Sequence, residues 1–290
     1  MKLSILYRGP LGSCNYRCAY CPFAKRASSE DELRADQAAL ERFVRWAKGA
    51  REHQLSILFT PWGEALVRRW YREALVELSH AAHIERVAIQ TNLSAHPRWA
   101  EKADRRTLAL WTTFHPTQVP YDVFLERCKA MDAIGLRYSV GVVAAPEHYR
   151  AAARLRADLS DDVYLWLNAY EKGALYDYTA DEARALRAID PLFELSRRAH
   201  DSAGKRCFAG ELSLSVDGEG VVRRCHFVDP PLGNLYQEPI ESMLRPRTCP
   251  NAKCDCHIGY VHLEELRLYE LFGEGLMERI PKDRVWRDRR

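Results

Sequence analysis

The chain carries, at residues 12–22, the stretch Gly12-Ser13-Cys14-Asn15-Tyr16-Arg17-Cys18-Ala19-Tyr20-Cys21-Pro22. Its three cysteines are separated by three residues and then by two, on a segment that glycine and proline interrupt on both sides. Three thiolates on one short loop can converge on a single metal centre, whereas a four-iron cluster usually takes four cysteine ligands. Three ligands leave one position open, which is typical of a metal site that performs chemistry.

The same spacing, i, i+4 and i+7, also fits a buried cysteine stripe on one face of a helix. The flanking glycines and prolines favour a loop, because the segment between them is short for a helix that buries a face. Disulfides are not expected, since the nine cysteines are an odd number and nothing in the chain indicates secretion.

The arrangement Cys14-x-x-x-Cys18-x-Tyr20-Cys21, with Asn15 after the first cysteine, resembles the cluster loop of the radical SAM superfamily. The resemblance implies that the three cysteines hold a [4Fe–4S] cluster and that S-adenosylmethionine (AdoMet) chelates its fourth iron. In that family an electron from the cluster cleaves the sulfonium, and the resulting 5′-deoxyadenosyl radical takes a hydrogen atom from the substrate. The resemblance also implies an external electron donor such as flavodoxin or ferredoxin.

The composition is that of a globular protein of 290 residues with 43 basic and 40 acidic residues interleaved, so neither nucleic acid nor membrane is expected as the main partner. The first apolar run is too short for a signal peptide, and no run is long enough to cross a bilayer. We therefore expect a cytoplasmic protein whose cysteines are metal ligands or buried thiols. Cys128, which shares a helical face with Phe124 and Met131, is expected to be a buried thiol.

Apolar periodicity predicts six strands alternating with helices. The strands are expected at 3–7, 55–60, 86–91, 108–114, 138–144 and 163–168. The helices are expected from a capping box at Ser29 and Glu32 to Gly49, from about residue 65, at 121–134 and at 181–200. This alternation predicts an α/β fold with a parallel sheet. The resemblance implies a partial (β/α)6 TIM-like barrel over residues 1–202, in which chemistry gathers at the carboxyl ends of the strands.

The end of the second strand carries the turn Thr60-Pro61-Trp62-Gly63-Glu64, which resembles the Gly-Gly-Glu turn of the same family. The resemblance implies that Glu64 accepts hydrogen bonds from the AdoMet ammonium, and Gly63 is expected to allow an unusual backbone angle. Taken alone, the glutamate fits a simple helix cap equally well.

The other strand ends also carry residues that the resemblance assigns to the cofactor. Asn92 is expected near the ribose, Thr113 near the methionyl carboxylate, and Val142, in the apolar segment 141–147, near adenine. Tyr20 is the aromatic residue that precedes the third cysteine and belongs to the same expected site. His115 is expected to face the substrate, although a lone histidine near a strand end is more often structural.

Five further cysteines lie in the last third of the chain: Cys207, Cys225, Cys249, Cys254 and Cys256. Alternation around Asp217-Gly218 predicts a β-hairpin that brings the first two of them to the same end. Taken alone, this region favours a structural zinc site with four ligands from the five cysteines, His226 and His257.

Beside the N-terminal motif, residues 203–290 resemble the auxiliary-cluster domains called SPASM and twitch. Five cysteines fit one auxiliary iron–sulfur cluster, as in the shorter twitch-like form, and a small hairpin-plus-helix domain is expected. Its preferred ligands are Cys225, Cys249, Cys254 and Cys256, with Cys207 as a substitute. A helix at 261–277 is expected to close the domain.

Together these features predict a radical SAM enzyme with one auxiliary cluster. An auxiliary cluster is useful as an electron acceptor, which favours an oxidation or a cross-link. The substrate is expected to be a ribosomal peptide or a small alcohol or sugar, and the lack of an N-terminal domain that would grip a leader peptide favours the small molecule. The sequence assigns no catalytic residue. The non-enzymatic alternative is an iron–sulfur or zinc protein that acts as a sensor or scaffold.

Overall fold

The computed structural model describes residues 1–23, 26–171 and 173–283. Strands and helices alternate in its first two thirds. The six strands are β1 (Lys2–Arg8), β2 (Gln54–Phe59), β3 (Ile84–Thr91), β4 (Leu108–Phe114), β5 (Arg137–Ala144) and β6 (Leu165–Ala169). The helices are α1 (Glu30–Gly49), α2 (Arg69–Ser79), α3 (Tyr121–Ala133), α4 (Tyr149–Asp158), α5 (Ala180–Ile189) and α6 (Phe193–Ser196). Among the described residues, none of the helices has the length and apolar character needed to span a bilayer.

Helix α1 begins where the sequence predicts. Ser29 Oγ accepts the backbone N–H of Glu32 at 3.2 Å, and the Glu32 carboxylate accepts the backbone N–H of Ser29 at 2.8 Å. This reciprocal pair satisfies two backbone donors that a helix start otherwise leaves unpaired. The buried apolar face of the helix holds Leu40, Phe43 and Val44, which pack against the sheet.

Two predicted helices of the barrel differ from the structure, and a further barrel helix was not predicted. Helix α2 begins at Arg69, not near residue 65, because the chain first passes through a turn after Glu64. The helix expected at 181–200 breaks at Asp190, whose carboxylate accepts the backbone N–H groups of Leu167 and Leu192 at 2.8 and 2.9 Å. Helix α4 was not predicted, because few of its residues are apolar and buried.

The strands pair in parallel in the order in which they occur, so that β1 to β6 form a continuous sheet. On its other side β1 pairs in parallel with β9 (Ser213–Asp217), and β10 (Val221–Arg223) and β11 (Pro231–Asn234) continue the sheet antiparallel. The predicted hairpin around Asp217 is therefore confirmed, and it extends the sheet of the N-terminal region.

The two faces of the sheet bury different sets of residues. Side chains on one face pack against the helices in the main hydrophobic core. Cys128 belongs to this core and is fully buried, as expected. The other face encloses a smaller interior cluster, whose members from the strands are Leu6, Leu58, Ala88, Ala109, Trp111 and Trp166. A parallel α/β sheet that encloses an interior cluster is the expected partial TIM-like barrel.

The rest of the chain forms short elements around the later cysteines. They are β7 (His200–Asp201), β8 (Arg206–Cys207), β12 (Arg247–Thr248), β13 (Lys253–Cys254), α7 (His257–Tyr260) and α8 (Leu268–Phe272). The long helix predicted at 261–277 is wrong. Arg267 and Gly273 adopt φ angles of 50° and 51°, which interrupt any right-handed helix at both ends of α8.

The segment 276–280 closes the barrel at the amino ends of its strands. Met277 packs into the interior cluster, and the carboxylate of Glu278, which is fully buried, pairs with Arg137 at 2.5 Å and with Arg86 at 3.5 Å. Ser139 Oγ donates to the Glu278 carbonyl at 2.5 Å. The late part of the chain is thereby anchored beneath β3 and β5.

Candidate active site

The thiol loop lies at the carboxyl end of β1, at the mouth of the barrel. Cys14, Cys18 and Cys21 all line one cavity of about 300 Å³, so their sulfurs share a common space. Burial raises the pKa of Cys14 and that of Cys18; the charge of Cys21 adds to both shifts, and the charge of Cys14 adds to that of Cys18. A helical cysteine stripe is excluded, because no helix covers residues 14–21.

Gly63 brings the turn after β2 against this loop. A Cβ atom on Gly63 would lie 1.8 Å from the Ser13 carbonyl oxygen, which also accepts the backbone N–H of Glu64 at 3.2 Å. The φ angle of Gly63 is not positive, so the expectation of an unusual backbone angle is wrong. The glycine is required for close approach of two backbone segments.

The carboxylate of Glu64 joins the ends of two strands. It accepts hydrogen bonds from the backbone N–H groups of Asn92 and Leu66 at 2.6 and 3.0 Å and from Thr91 Oγ1 at 2.8 Å. Burial raises its pKa to about 7, while these bonds act in the opposite direction. A carboxylate offers about four acceptor positions, so one remains for a donor in the cavity that Glu64 lines.

Asn92 and Thr113 both line the cavity that the three cysteines line. Asn92 Nδ2 donates to Asn15 Oδ1 at 3.0 Å and lies 3.9 Å from Cys14 Sγ, while its Oδ1 accepts the backbone N–H of Ser94. This side chain is therefore fixed towards the thiol loop. Thr113 is half-buried at the end of β4.

Tyr20 and His115 form a supporting contact beneath the thiol loop. His115 Nδ1 lies 2.7 Å from Tyr20 Oη and 3.4 Å from Cys18 Sγ, and the two rings are stacked with centroids 5.9 Å apart. Burial lowers the pKa of His115 to about 4, with a smaller contribution from the charge of His148. His115 also lines the cavity, whereas Tyr20 packs behind it.

The expected position of Val142 is wrong by one residue. Its side chain is fully buried in the helix-facing core, and Val143 lines the cavity instead. Successive side chains of a strand point to opposite faces, but residues 140–144 are almost uniformly apolar. The sequence therefore gives no alternation from which the inward position could be chosen.

Four of the later cysteines converge on a second site. Cys207 and Cys249 are buried in one hydrophobic cluster, against which Cys225 and Cys254 pack. Burial raises the pKa of Cys225 to about 11, with further contributions from the charges of Cys207 and Cys249. Burial likewise raises the pKa of Cys254, and all the other C-terminal cysteines contribute in the same direction.

Cys256 occupies a different position from the one the sequence analysis preferred. Cys256 lines the cavity of the N-terminal cysteines and is an exposed residue. Cys254 packs against the hydrophobic cluster, whereas Cys256 lines the cavity, so two cysteines that are close in sequence have different surroundings. The structure thus groups Cys207, and not Cys256, with the other three.

The two histidines considered as zinc ligands face away from this group. His226 Nε2 lies 3.0 Å from Thr60 Oγ1, and His257 packs edge-on against Trp111 with ring centroids 5.3 Å apart. A tetrahedral zinc site with Zn–S of about 2.3 Å places its sulfurs about 3.8 Å apart. Within the described ranges, no three cysteine sulfurs lie within 4.8 Å of one another.

The inner wall of the cavity contains residues that the sequence analysis missed. Trp111 of β4 and Trp166 of β6 meet edge-to-face with centroids 5.7 Å apart, and the Arg279 guanidinium lies 4.5 Å from the Trp166 ring centroid. No local pattern marks Arg279, because most of the chain separates it from the thiol loop. Only the closure of the barrel by segment 276–280 brings it there.

The residues present fit a cluster and AdoMet. Three thiols share one cavity, Glu64 has one free acceptor position there, and Asn92 and Thr113 supply polar groups beside it. A cavity of this size is at the lower end of the range for small-molecule sites.

No known protein family and no curated protein sequence matches the chain. Several solved structures have a similar fold. The structure described as native anSMEcpe with bound AdoMet has a TM-score of 0.56 at 16% identity, covering 83% of this chain and 80% of that chain. SuiB of Streptococcus suis has a TM-score of 0.56 at 14% identity, covering 83% of this chain and 65% of that chain.

A further structure of anSMEcpe, with bound AdoMet and the Cp18Cys peptide, has a TM-score of 0.56 at 14% identity and covers 84% of this chain and 80% of that chain. The two anSMEcpe structures are described with bound AdoMet. The chain shares the fold of these structures. The fold expected from the resemblance is therefore confirmed, while these identities carry no statement about reaction or substrate. The chain spans about two thirds of the SuiB chain.

Proposed function

We propose that this protein is a radical SAM enzyme that cleaves AdoMet reductively and abstracts a hydrogen atom from its substrate. The observation that carries the proposal is the shared cavity of Cys14, Cys18 and Cys21 at the carboxyl end of β1. These three thiols would hold a [4Fe–4S] cluster. When bound, the cluster and AdoMet supply the 5′-deoxyadenosyl radical.

The protein's own residues position and shield this chemistry. Glu64 and Asn92 orient the cofactor's polar groups, and Gly63 keeps the turn after β2 against the thiol loop. Thr113 and Val143 line the wall on which the rest of the cofactor rests. The interior tryptophans restrict water near the reacting atoms, which protects a radical from side reactions.

The second proposed centre is one auxiliary iron–sulfur cluster held by Cys207, Cys225, Cys249 and Cys254. The packing of these four around one hydrophobic cluster supports it, and their region, 203–290, is the proposed auxiliary-cluster domain beside the core at 1–202. Arg224 hydrogen-bonds Cys207 and lowers its pKa, although burial raises that pKa overall, and a cation of this kind stabilises an anionic cluster. A centre that accepts an electron favours an oxidation or a cross-link.

The substrate class remains a small molecule or a peptide. The structures of anSMEcpe with bound Cp18Cys and Kp18Cys peptides support a peptide for this fold. An external donor such as flavodoxin or ferredoxin would supply the electron for each cleavage, and the cytoplasm is the proposed location.

The test is anaerobic reconstitution with iron and sulfide, followed by dithionite and AdoMet. We expect 5′-deoxyadenosine from the wild type and none above background from Cys14→Ala, measured by liquid chromatography and mass spectrometry. Cys128→Ala is the matched control, because it removes a thiol buried in the helix-facing core. Equal product from the wild type and Cys14→Ala would exclude the radical reaction and favour the sensor or scaffold alternative.

A further inference from the structure

Arg279 is a buried cation at the inner end of the cavity. Only 2% of its surface is exposed, and it lines the same cavity as the N-terminal cysteines. It enters from the amino ends of the strands, since its neighbour Glu278 is anchored to Arg86 and Arg137 there. The thiol loop follows the carboxyl end of β1, so the arginine approaches the cavity from the opposite end.

The guanidinium has no anionic partner of its own within the described part of the chain. None of the described carboxylates lies within 4.0 Å of it, and its Nε has no hydrogen-bond partner. Glu278 is committed to the two arginines beneath the barrel. Asp190 lies near enough for Arg279 to lower its pKa, although burial raises that pKa overall, but its oxygens already accept from Tyr164 Oη at 2.6 Å and from two backbone N–H groups.

Two tryptophan rings hold the Arg279 guanidinium in position but do not neutralise its charge. It lies over the Trp166 ring at 4.5 Å and faces the Trp111 ring at 5.8 Å, each a cation–π contact. The φ angle of Arg279 is 57°, a left-handed conformation that the anchored Glu278 holds in place. Cation–π contacts offset only part of the free-energy cost of burying a charge that has no anionic partner.

Among the described residues that line the cavity, Glu64 is the only carboxylate; it lies at the thiol end, and three hydrogen bonds leave it one free acceptor position. The Cys256 thiol also lines the cavity and lies near Arg279, but a thiol offers a guanidinium no pair of oxygens. An oxyanion from outside the protein would satisfy both the charge and the fixed donors of Arg279. A planar guanidinium binds carboxylates and phosphates through two parallel hydrogen bonds.

We propose that Arg279 binds an anionic group of the substrate, a carboxylate or a phosphate, at the inner end of the cavity. The proposal rests on the proposed function and narrows its substrate to an anionic small molecule or a peptide that presents an acidic group. Trp111 and Trp166 form the apolar walls on either side of that group. Arg279 is thus a specificity-determining residue supplied from outside the barrel strands.

The test compares ligand binding to the anaerobically reconstituted protein and does not depend on radical chemistry. Succinate and inorganic phosphate are the probes, titrated at constant ionic strength and followed by isothermal calorimetry. The variants are Arg279→Gln, which removes the charge, and Arg279→Lys, which keeps it. Arg267→Gln is the matched control, because Arg267 is exposed and paired with Glu270.

We expect at least one probe to bind the wild type, and Arg279→Gln to weaken it by about ten- to a hundredfold, as the loss of a charged hydrogen-bonding partner predicts. Arg279→Lys retains part of the affinity and Arg267→Gln all of it. Failure of both probes to bind the wild type, or equal binding to Arg279→Gln, overturns the proposal. Thermal unfolding of each variant identifies a loss of affinity that arises from unfolding. If Arg279→Gln does not fold, the affinity of Arg279→Lys for the probes decides whether the proposal holds.

A second titration identifies the source of the anion. The affinities of AdoMet and of decarboxylated AdoMet are measured for the wild type and for Arg279→Gln. Unchanged affinities for both in the variant support the assignment to the substrate. If the variant weakens AdoMet and not its decarboxylated form, Arg279 holds the cofactor's carboxylate and the substrate assignment is overturned. Formation of 5′-deoxyadenosine is measured separately, so the two proposals fail independently.

Discussion

Single residues decide which cysteines act together. Cys254 and Cys256 are nearly adjacent in the sequence, yet one packs with Cys207, Cys225 and Cys249 while the other lines the cavity of the N-terminal thiols. A spacing motif alone does not separate them, because it contains no information on which residues surround each thiol. Cys207 is distant in sequence from Cys249 and Cys254, and the pairing of β8 with β12 brings it close to them.

Exchange of individual cysteines tests this grouping. Cys207→Ala removes one ligand of the auxiliary cluster, so the reconstituted protein is expected to lose about four iron atoms per chain. Cys256→Ala serves as the matched comparison and is expected to keep its full iron content, since its thiol lies outside the four. Iron and sulfide analysis with electron paramagnetic resonance measures both. Loss of iron from Cys256→Ala, with full iron content in Cys207→Ala, would favour the ligand set Cys225, Cys249, Cys254 and Cys256.

At the scale of elements, one close contact holds the turn after β2 against the thiol loop. Gly63→Ala would place a methyl group 1.8 Å from the Ser13 carbonyl oxygen, and neither backbone can yield without moving Cys14. We expect reduced occupancy of the N-terminal cluster and a loss of AdoMet affinity of about tenfold or more, corresponding to at least about 1.4 kcal/mol.

Gly49→Ala is the control for this substitution, because no atom lies within 4 Å of the Cβ position at Gly49. It is expected to bind iron and AdoMet as the wild type does. Iron analysis and calorimetry measure the two variants in parallel. Wild-type binding by Gly63→Ala would mean that the contact with Ser13 is not needed for the site.

A second element-scale contact joins helices α1 and α2 to the start of the thiol loop. Asp36 is fully buried and accepts hydrogen bonds from Trp70 Nε1 at 2.9 Å, Tyr71 Oη at 2.9 Å and the backbone N–H of Leu11 at 3.1 Å. Asp36→Asn turns an amide N–H₂ towards one of these donors. We expect a loss of about 1–3 kcal/mol in the free energy of unfolding.

This loss is expected to depend on pH. Burial raises the pKa of Asp36 above its ordinary value, so the folded state binds more protons than the unfolded state between the two pKa values. The wild-type contribution is full below the ordinary pKa and is lost as pH rises through the folded pKa. The difference between wild type and Asp36→Asn should therefore shrink with rising pH, as measured by thermal unfolding of the reconstituted proteins. Asp31→Asn, at an exposed position, is the control, and a difference that grows with pH would contradict this account.

The elements of the barrel were largely predictable, and the reasons are local. The β4 prediction matches the structure, since an apolar run bounded by turn residues is the main signal for a buried strand. The capping box at Ser29 likewise fixed the start of α1. Local signals fail at 181–200, where the Asp190 carboxylate accepts backbone N–H groups and the helix ends, and at Val142, where both faces of the strand are buried.

At the scale of the whole molecule, the barrel depends on the segment that closes it. Glu278 is the only carboxylate within 4.0 Å of Arg86 and Arg137 among the described residues. Glu278→Gln leaves two arginines without their shared anion, and we expect a loss of about 3–5 kcal/mol in the free energy of unfolding. The measurement is the fall in melting temperature of the reconstituted protein.

Glu270→Gln is the comparison for this variant, because its pair with Arg267 is exposed, and a loss of less than about 1 kcal/mol is expected there. Equal melting temperatures for the two variants would show that the closing segment contributes little to stability. Whole-molecule features of this kind were beyond the sequence analysis, since the contacts of Glu278 join residues that no local pattern relates.

Segment 276–280 also has a consequence for biosynthesis. A ribosome synthesises every barrel strand, both cysteine groups and the two interior tryptophans before it reaches Met277 and Arg279. The nascent barrel is therefore open to solvent at its lower end until translation passes this segment. We expect closure of the barrel at its amino ends to be a late step in folding, after both cysteine groups have been synthesised.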